Sequence, residues 1–539
     1  MILSTFTFNT SAQQNKKRQN VRLTVLNSME RIGQKQALFG ETQARIKAAK
    51  NEVESFQVVV QALQKNVAVV KAEMSDLAGR TGTIRKENIA LFREEYTRVR
   101  LSSPLAALPP GLYVDPLVPF INPQTGKSIE PRSQFSKEPD GPVITKGFEM
   151  YAVPFEVWKG ENQPLWVDIS IPKDVADGEY KGTFTITVYD GSLGDIPKND
   201  GIMFPSSKSI LNSGFETVYS IAVTLTVWDF TLPDGPTHRN HFGYVKERAA
   251  TAFGVDRNSQ ESREIELNYC RMMADNRINP PIPDRFLPEV NDDGSLKITP
   301  ERNQALKKFI QDFHVTDFPV PLGPFEEILT EEVLTLNREK AIRYFSEFYQ
   351  YLKENGWDKR AYLYMVDEPN YKKSYEFVLA FGKLVHEAAP QLKRLVVEQP
   401  YTQDPSWPDI DPAVDIWCPL FSFIDRNKIN EKMAHGDEIW SYTALAQRAP
   451  DYHPKYTDVK NYDPPYWAID QPLTSYRIPT WINWQYKITG LLYWSTVTRV
   501  QDTWNLPAFS ESGAHFNGGG YLLYPGIPCG IDGPFHVCV

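Results

Sequence analysis

At 539 residues the chain exceeds one ordinary folding core, and a usual size of roughly 100–200 residues per domain, with barrels reaching about 250, implies two domains. A net charge of -9 supplies no clustered basic face for nucleic acid or an anionic membrane. With 12% aromatic residues and 41 prolines, the composition fits a loop-rich globular protein with aromatic-lined surfaces rather than a disordered or fibrous chain.

The four cysteines, Cys270, Cys418, Cys529 and Cys538, are scattered without a C-x-x-C pair, so neither a zinc site nor a disulfide framework is expected. No metal and no cofactor is called for. No apolar run reaches the roughly 18 residues that span a membrane. Residues 1–19 read as a disordered start or the remnant of a signal peptide: Met1 to Gln14 has a weakly apolar beginning and small residues at Ser11-Ala12, but no basic n-region. The expectation is a periplasmic or extracellular protein.

Residues 20–230 follow a period of two. Glu54 to Gln61, Leu165 to Pro172, Thr183 to Tyr189 and Ile221 to Trp228 alternate large apolar with polar or small residues, the mark of half-buried strands. In the third, Phe184, Ile186 and Val188 face a core, Thr183, Thr185 and Thr187 face water, and Asp190-Gly191 supplies the turn. An antiparallel β-sandwich is the predicted fold of this part. The stretch Leu105 to Phe120 is apolar but carries four prolines, which excludes a helix or a central strand and leaves a rigid apron against the next domain.

Thr231-Leu-Pro-Asp-Gly-Pro-Thr237 is consecutive turn chemistry and marks the linker, 231–237. From 238 to 539 the pattern becomes strands separated by helices. His241 to Val245 reads as a strand and Ser259 to Ala274 as a helix. Asp317 to Leu322 is a strand interrupted by proline. Asn337 to Asn355 is a helix with Ile342, Phe345, Phe348, Tyr349 and Leu352 on one face and Asn355-Gly356 as its stop. His238 and His241, three apart on a strand-like segment, read as structural imidazoles. Next come the strand Ala361 to Asp367, a helix from Tyr371 to Ala389, and strands at Arg394 to Glu398, Val414 to Phe421 and Asp437 to Tyr442. A helix over Ile482 to Lys487 and a strand Gly490 to Ser495 close the series. Seven or eight strands with right-handed crossovers predict a (β/α)8 TIM-like barrel, with Ala361 to Asp367 near fourth place.

In such barrels chemistry sits at the C-terminal strand ends. There Ala361-Tyr-Leu-Tyr-Met-Val-Asp-Glu-Pro369 delivers two adjacent carboxylates, Asp367 and Glu368. Nearby strand ends and loops supply Glu398, Tyr401, Trp440, Tyr442, Trp467 and Trp494, flat apolar faces beside hydrogen-bonding groups of the kind that bind a pyranose. Trp481 and Trp484 lie in the same segment as Trp467, ahead of the last strand. Glycosidic cleavage needs an acid for the leaving oxygen and a second group to manage the oxocarbenium charge. Neighbouring strand residues point in different directions, so the pair fits an acid beside a carboxylate that orients the substrate's own 2-acetamido group better than an acid facing a nucleophile.

Ala48 to Val60, Leu165 to Gly182, Leu363-Tyr-Met-Val-Asp-Glu-Pro369, Gly490-Leu-Leu-Tyr-Trp494 and Asn517-Gly-Gly-Gly-Tyr-Leu-Leu-Tyr-Pro-Gly526 together resemble glycoside hydrolase family 123 and its poorly characterised bacterial relatives, over nearly the whole chain. The resemblance implies a sandwich followed by a barrel and a retaining, substrate-assisted β-N-acetylgalactosaminidase acting on a glycan. In it Glu368 is general acid and base, Asp367 orients the acetamido nitrogen, and Tyr442 or Tyr401 binds the acetamido oxygen. Such relatives continue past a Gly-x-Asp-Gly-Pro segment into a long helix, whereas Gly530-Ile-Asp-Gly-Pro534 is followed here by five residues, so a barrel without its final helix is expected. Two other readings fit the residues: a glycosidase for a sugar without acetamide, with Glu398 as second carboxylate, and a carbohydrate-binding protein without turnover.

Overall fold

The computed structural model describes residues 19–129, 150–193, 216–244, 246–323, 330–402, 404–444, 465–497, 504, 508–511 and 514–536. The N-terminal signal-like segment, 1–18, lies outside them, as does Cys538.

The first part contains β1 (Val21–Asn27), β2 (Ala44–Lys50), β3 (Val53–Ala62), β4 (Val67–Met74), β5 (Leu77–Gly79), β6 (Thr83–Ile84), β7 (Ile89–Val99), β8 (Gly111–Pro119), β9 (Phe155–Val157), β10 (Asn162–Ser170), β11 (Gly178–Tyr189) and β12 (Glu216–Thr231). One sheet runs β1-β3-β10-β7-β8 and the other β2-β12-β11-β4-β9, with β5 and β6 attached beside β11. Both contribute to one core: Phe56, Val58, Val60, Leu165 and Val167 from the first, Phe184, Ile186, Val188, Val223 and Leu225 from the second. The alternation read on β11 holds, with Phe184, Ile186 and Val188 buried.

Two details differ from the sequence reading. The sandwich is not wholly antiparallel, because β2 pairs parallel to β12. The proline-rich stretch is not only an apron: Gly111–Pro119 is β8, at the edge of its sheet, where missing N–H donors are tolerated. Pro116 falls where the β7–β8 register slips between Glu94 and Tyr96, so its missing donor interrupts no regular pair.

Beyond Thr231 come β13 (Arg239–Phe242), α1 (Lys246–Phe253), α2 (Gln260–Asp275), a small hairpin of β14 (Glu289–Val290) and β15 (Leu296–Lys297), α3 (Pro300–Asp312), β16 (Phe318–Pro319), α4 (Glu331–Leu336), α5 (Arg338–Glu354), β17 (Ala361–Asp367), α6 (Lys372–Ala388), β18 (Lys393–Val397), β19 (Ile416–Trp417), α7 (Arg426–His435), β20 (Glu438–Thr443), α8 (Thr474–Tyr486) and β21 (Gly490–Tyr493). Local chemistry sets several helix starts: Ser259 accepts from Ser262 N–H, Thr299 from Arg302 N–H ahead of Pro300, and Asp425 from Asn427 and Lys428 N–H. α5 buries Ala341, Tyr344, Phe345, Phe348, Tyr351 and Leu352, leaving the expected Ile342 and Tyr349 half-buried at the edge of that face.

Seven strands pair in the order β13-β21-β20-β19-β18-β17-β16, all parallel, and the sheet curls nearly closed. Between β13 and β16 the described residues contain no eighth strand, so β17 is third in the series rather than fourth. The gap is crossed by Ile278-Asn-Pro-Pro-Ile-Pro283, whose three prolines lack ladder donors. Side-chain amides stand in: Asn279 N–H donates to Asn240 Oδ1 at 2.8 Å, and Thr316 N–H donates to Asn279 Oδ1 at 2.9 Å.

At the N-terminal strand ends Arg239 fills the interior, paired with Asp317 at 2.5 Å and Glu438 at 2.8 Å beneath the Tyr362 and Trp440 rings. Among the described residues no α-helix follows β21, only a short 3-10 turn at Ile527–Cys529. Two hairpins follow as well, β22 (Ala508–Glu511) with β23 (Ala514–Asn517) and β24 (Leu523–Pro525) with β25 (Pro534–His536). Tyr524, Cys529, Ile531 and Phe535 from this end join the sandwich core, and Tyr524 donates to Asp115 on β8 at 2.7 Å.

Candidate active site

The sheet's interior is lined by Tyr362, Leu395, Val397, Ile416, Cys418, Trp440, Tyr442 and Leu492, with Tyr364 and Phe423 against them. Strict alternation along β17 would send Tyr362, Tyr364 and Val366 inward and Asp367 outward. The register against β18 slips between Tyr364 and Val366, and past this irregularity Asp367 returns to the interior side, where Tyr364 Oη donates to its Oδ1 at 2.9 Å.

Glu368 turns the same way by a different device. Its φ is 44°, a left-handed conformation that a non-glycine residue adopts at a cost of roughly 1–3 kcal/mol. Its N–H still donates to Val397 carbonyl at 3.2 Å, holding the tip against β18, and its side chain reaches Tyr442, whose hydroxyl donates to Oε1 at 2.5 Å. Each carboxylate therefore has its own phenol, and both lie near enough to Tyr442 to disfavour its ionisation.

The electrostatics keep the donors protonated. Burial, then the neighbouring carboxylates, holds the Tyr364 and Tyr442 hydroxyls well above the ordinary phenol range. Asp367 is open to solvent by area yet ringed by protein, and burial raises its carboxyl while the Tyr364 bond lowers it. Cys418, fully buried and close enough to feel Asp367, is pushed far up by burial and stays a thiol. His241 shares a 2.8 Å hydrogen bond with Tyr362 Oη, and burial lowers its pKa to about 4. His238 meets Asn483 Nδ2 at 3.0 Å, so both histidines are structural as read.

The remaining sequence candidates divide. Glu398 and Tyr401 follow β18, beside the carboxylate tip; Glu398 is buried, and Tyr401 donates to Phe423 carbonyl at 2.9 Å. Trp494 directly follows β21, whereas Trp467 departs from the expectation: buried in the layer between sheet and helices, its ring lies 4.5 Å from Tyr493, 5.8 Å from Phe242 and stacked 5.7 Å from Tyr476 on α8, so it packs the outer core rather than the interior. Trp440 departs from the expectation: fully buried, it packs 5.0 Å from Tyr362 and against the space above Gly490, so it fills the interior and offers no face to a sugar. Trp481 and Trp484, 66% and 80% exposed, stand on the outer side of α8. Sequence reasoning missed Tyr364 and Cys418. Tyr364 had a signal, an inward phenol three residues before the acid, but its reach to Asp367 depends on the slipped register. Among the described residues no group of acidic, histidine and cysteine side chains is arranged to hold a metal.

A solved structure of a family 123 glycoside hydrolase from Clostridium perfringens, described in the context of glycolipid glycan hydrolysis, overlaps 96% of this chain and 85% of its own, with TM-score 0.62 and 12% identity. The fold is that of a family 123 glycoside hydrolase. The motif resemblance and the family 123 fold agree, and they do so along almost the entire chain. Two other solved structures overlap too loosely to bear on this protein: the spore cortex-lytic enzyme SleL of Bacillus cereus, at 9% identity over 52% of this chain and 75% of its own with TM-score 0.25, and the chitinase ChiW of a Paenibacillus species, at 9% over 90% and 55% with TM-score 0.24. No protein-family model and no curated protein matches the sequence.

Proposed function

We propose that the protein is a glycoside hydrolase, an exo-acting retaining β-N-acetylhexosaminidase, and specifically a β-N-acetylgalactosaminidase that uses the substrate's 2-acetamido group. The carrying observation is the pair of adjacent carboxylates turned to one side, each held by its own tyrosine, in a family 123 fold. Asp367 accepts the acetamido N–H, which makes the carbonyl oxygen a better nucleophile. That oxygen attacks C1 as Glu368 protonates the departing glycosidic oxygen, and the C1–O bond breaks. Glu368, now a carboxylate, deprotonates the water that opens the oxazolinium intermediate with net retention.

In the resting geometry the hydroxyls of Tyr442 and Tyr401 are engaged, by Glu368 and Phe423, so binding of the acetamido oxygen by either requires an exchange of partners. Glu398 and Trp494 are assigned to the surrounding substrate wall. In this reading residues 20–230 are an accessory sandwich, 231–237 a linker and 238–539 the catalytic (β/α)8-type barrel. The substrate is a glycan or glycoconjugate met in the periplasm or outside the cell. Among the described residues no helix is long and apolar enough to cross a membrane.

The test is hydrolysis of aryl β-GalNAc, β-GlcNAc and β-galactosides by the wild type and by Glu368→Gln. Loss of about 10²–10⁴ in kcat with retained sugar binding is expected for the acid's removal. Unchanged turnover removes Glu368 from the role. A thiazoline analogue of the intermediate is expected to inhibit, and an active enzyme indifferent to it is not substrate-assisted.

A further inference from the structure

The outer face of the second sandwich sheet carries a feature that the barrel chemistry does not use. On β12 the outward positions run Thr224, Thr226, Trp228 and Phe230, one residue in two. Cross-strand register extends this stripe sideways. Thr224 pairs with Lys181 on β11 and Arg45 on β2, and Thr226 pairs with Glu179 and Lys47. These side chains line a groove of about 480 Å³. Where the groove runs out along β12, Trp228 and Phe230 stand 43% and 52% exposed, their rings 5.8 Å apart and within 13° of parallel.

Two exposed rings held parallel, beyond a floor of hydroxyls and charged groups, match the amphipathic surface of a sugar chain, whose C–H faces stack on aromatics while hydroxyls need partners. Charge narrows the ligand. Glu179 is paired with Lys181 at 2.7 Å, whereas among the described residues no ion pair engages Arg45 or Lys47. This groove is thus locally cationic on a chain of net charge -9. We propose that this face is a second carbohydrate site, distinct from the carboxylate tip, which binds an oligosaccharide chain bearing carboxylate or sulfate groups. Trp228 and Phe230 form its stacking platform, and Arg45 and Lys47 pair with its anions.

Its place is remote from the catalytic end. Trp228 and Phe230 lie at the end of β12 that enters the junction, where Asn51 and the 232–234 turn meet Arg277, which follows the C-terminus of α2. Helix C-termini in alternating βα units return to the N-terminal strand ends, opposite Asp367 and Glu368. The site would hold the enzyme on a polymer without occupying its active centre.

The experiment is affinity electrophoresis of the full chain through gels containing chondroitin sulfate, chemically desulfated chondroitin or no polysaccharide, with hydrolysis of an aryl β-GalNAc followed in parallel. The wild type is expected to be retarded by the sulfated polymer and less by the desulfated one. Trp228→Ala with Phe230→Ala is expected to weaken retention about tenfold or more in apparent Kd. Arg45→Ser with Lys47→Ser is expected to erase the difference between the two polymers. These substitutions replace exposed side chains, and circular dichroism and unchanged aryl-glycoside turnover, where wild-type turnover is present, verify the fold. No retardation of the wild type, or equal retardation of the aromatic double variant, overturns the site. Retention by either polymer that is undiminished in Arg45→Ser with Lys47→Ser overturns its anionic preference. Dimerisation in sedimentation velocity that the aromatic substitutions abolish would instead make this a self-association face and also overturn the proposal.

Discussion

Tyr364→Phe isolates one hydrogen bond at the candidate centre. The phenol donates to Asp367 Oδ1 at 2.9 Å, and it opposes the upward push that burial exerts on that carboxyl. A hydrogen bond to a charged group contributes about 1.5–3 kcal/mol, equivalent to about 1–2 pK units of preference for the ionised form. In the proposed mechanism Asp367 must be ionised to accept the acetamido N–H, so activity is lost as pH falls through its pKa. Removing the donor raises that pKa further. The acidic limb of kcat/KM must then move to higher pH, by about 1–2 units at most. Above the limb the ionised Asp367 is still present but less well held, and a residual loss of roughly tenfold is expected. The assay is kcat/KM on an aryl β-GalNAc between roughly pH 4 and 8, with a melting curve at each pH. A folded variant whose rate falls while its acidic limb stays in place would refute the coupling of Tyr364 to Asp367. A merely structural tyrosine would give that result.

His241 makes stability fall on the acid side. Burial lowers its pKa from 6.5 to about 4, so between those values the unfolded chain binds a proton that the native chain does not. Stability should drop as pH is lowered through that window, by about 3 kcal/mol at most for this group, and urea titrations of His241→Gln should show a flatter dependence than wild type. Arg394→Ala should cost about 3 kcal/mol in urea unfolding, because a buried guanidinium paired with Asp415 at 2.7 and 2.9 Å also donates to Gly382 and Pro412 carbonyls. Asp470→Ala should loosen the sandwich loop from the barrel. This fully buried carboxylate accepts from Ser103 N–H, Ser103 Oγ and Asn517 Nδ2, and orphaning such donors costs about 1–3 kcal/mol each. Limited proteolysis should cut near residues 101–108 faster, and an unchanged cleavage rate would count against the lock.

Much of the fold was legible because its signals are local. The alternation of Phe184, Ile186 and Val188 needs only the two-residue pleat, and the Ser259, Thr299 and Asp425 caps need only a side chain beside free N–H groups. Trp440 was misplaced because an aromatic on a strand looks alike at the mouth of a barrel and inside it. Its enclosure depends on Tyr362, Arg239 and Gly490, which are distant in sequence. The eighth strand failed for a reason visible in the chain, the prolines at 280, 281 and 283. The side-chain amides of Asn240 and Asn279 that bridge the gap were not visible, since neither residue announces its partner.

The sequence by itself determined that two carboxylates stand at the end of a buried strand, since seven residues of apolar-rich chain ending at Asp367-Glu368-Pro369 leave them nowhere else to be. Only the tertiary structure decided where they point. Pleat geometry alone sends neighbours apart; a register slip against β18 and the left-handed turn at Glu368 bring both to one side, toward Tyr364 and Tyr442. Those deviations persist because β18 and β20 supply the hydrogen bonds that hold them, and no property of Asp367 or Glu368 taken singly contains that information.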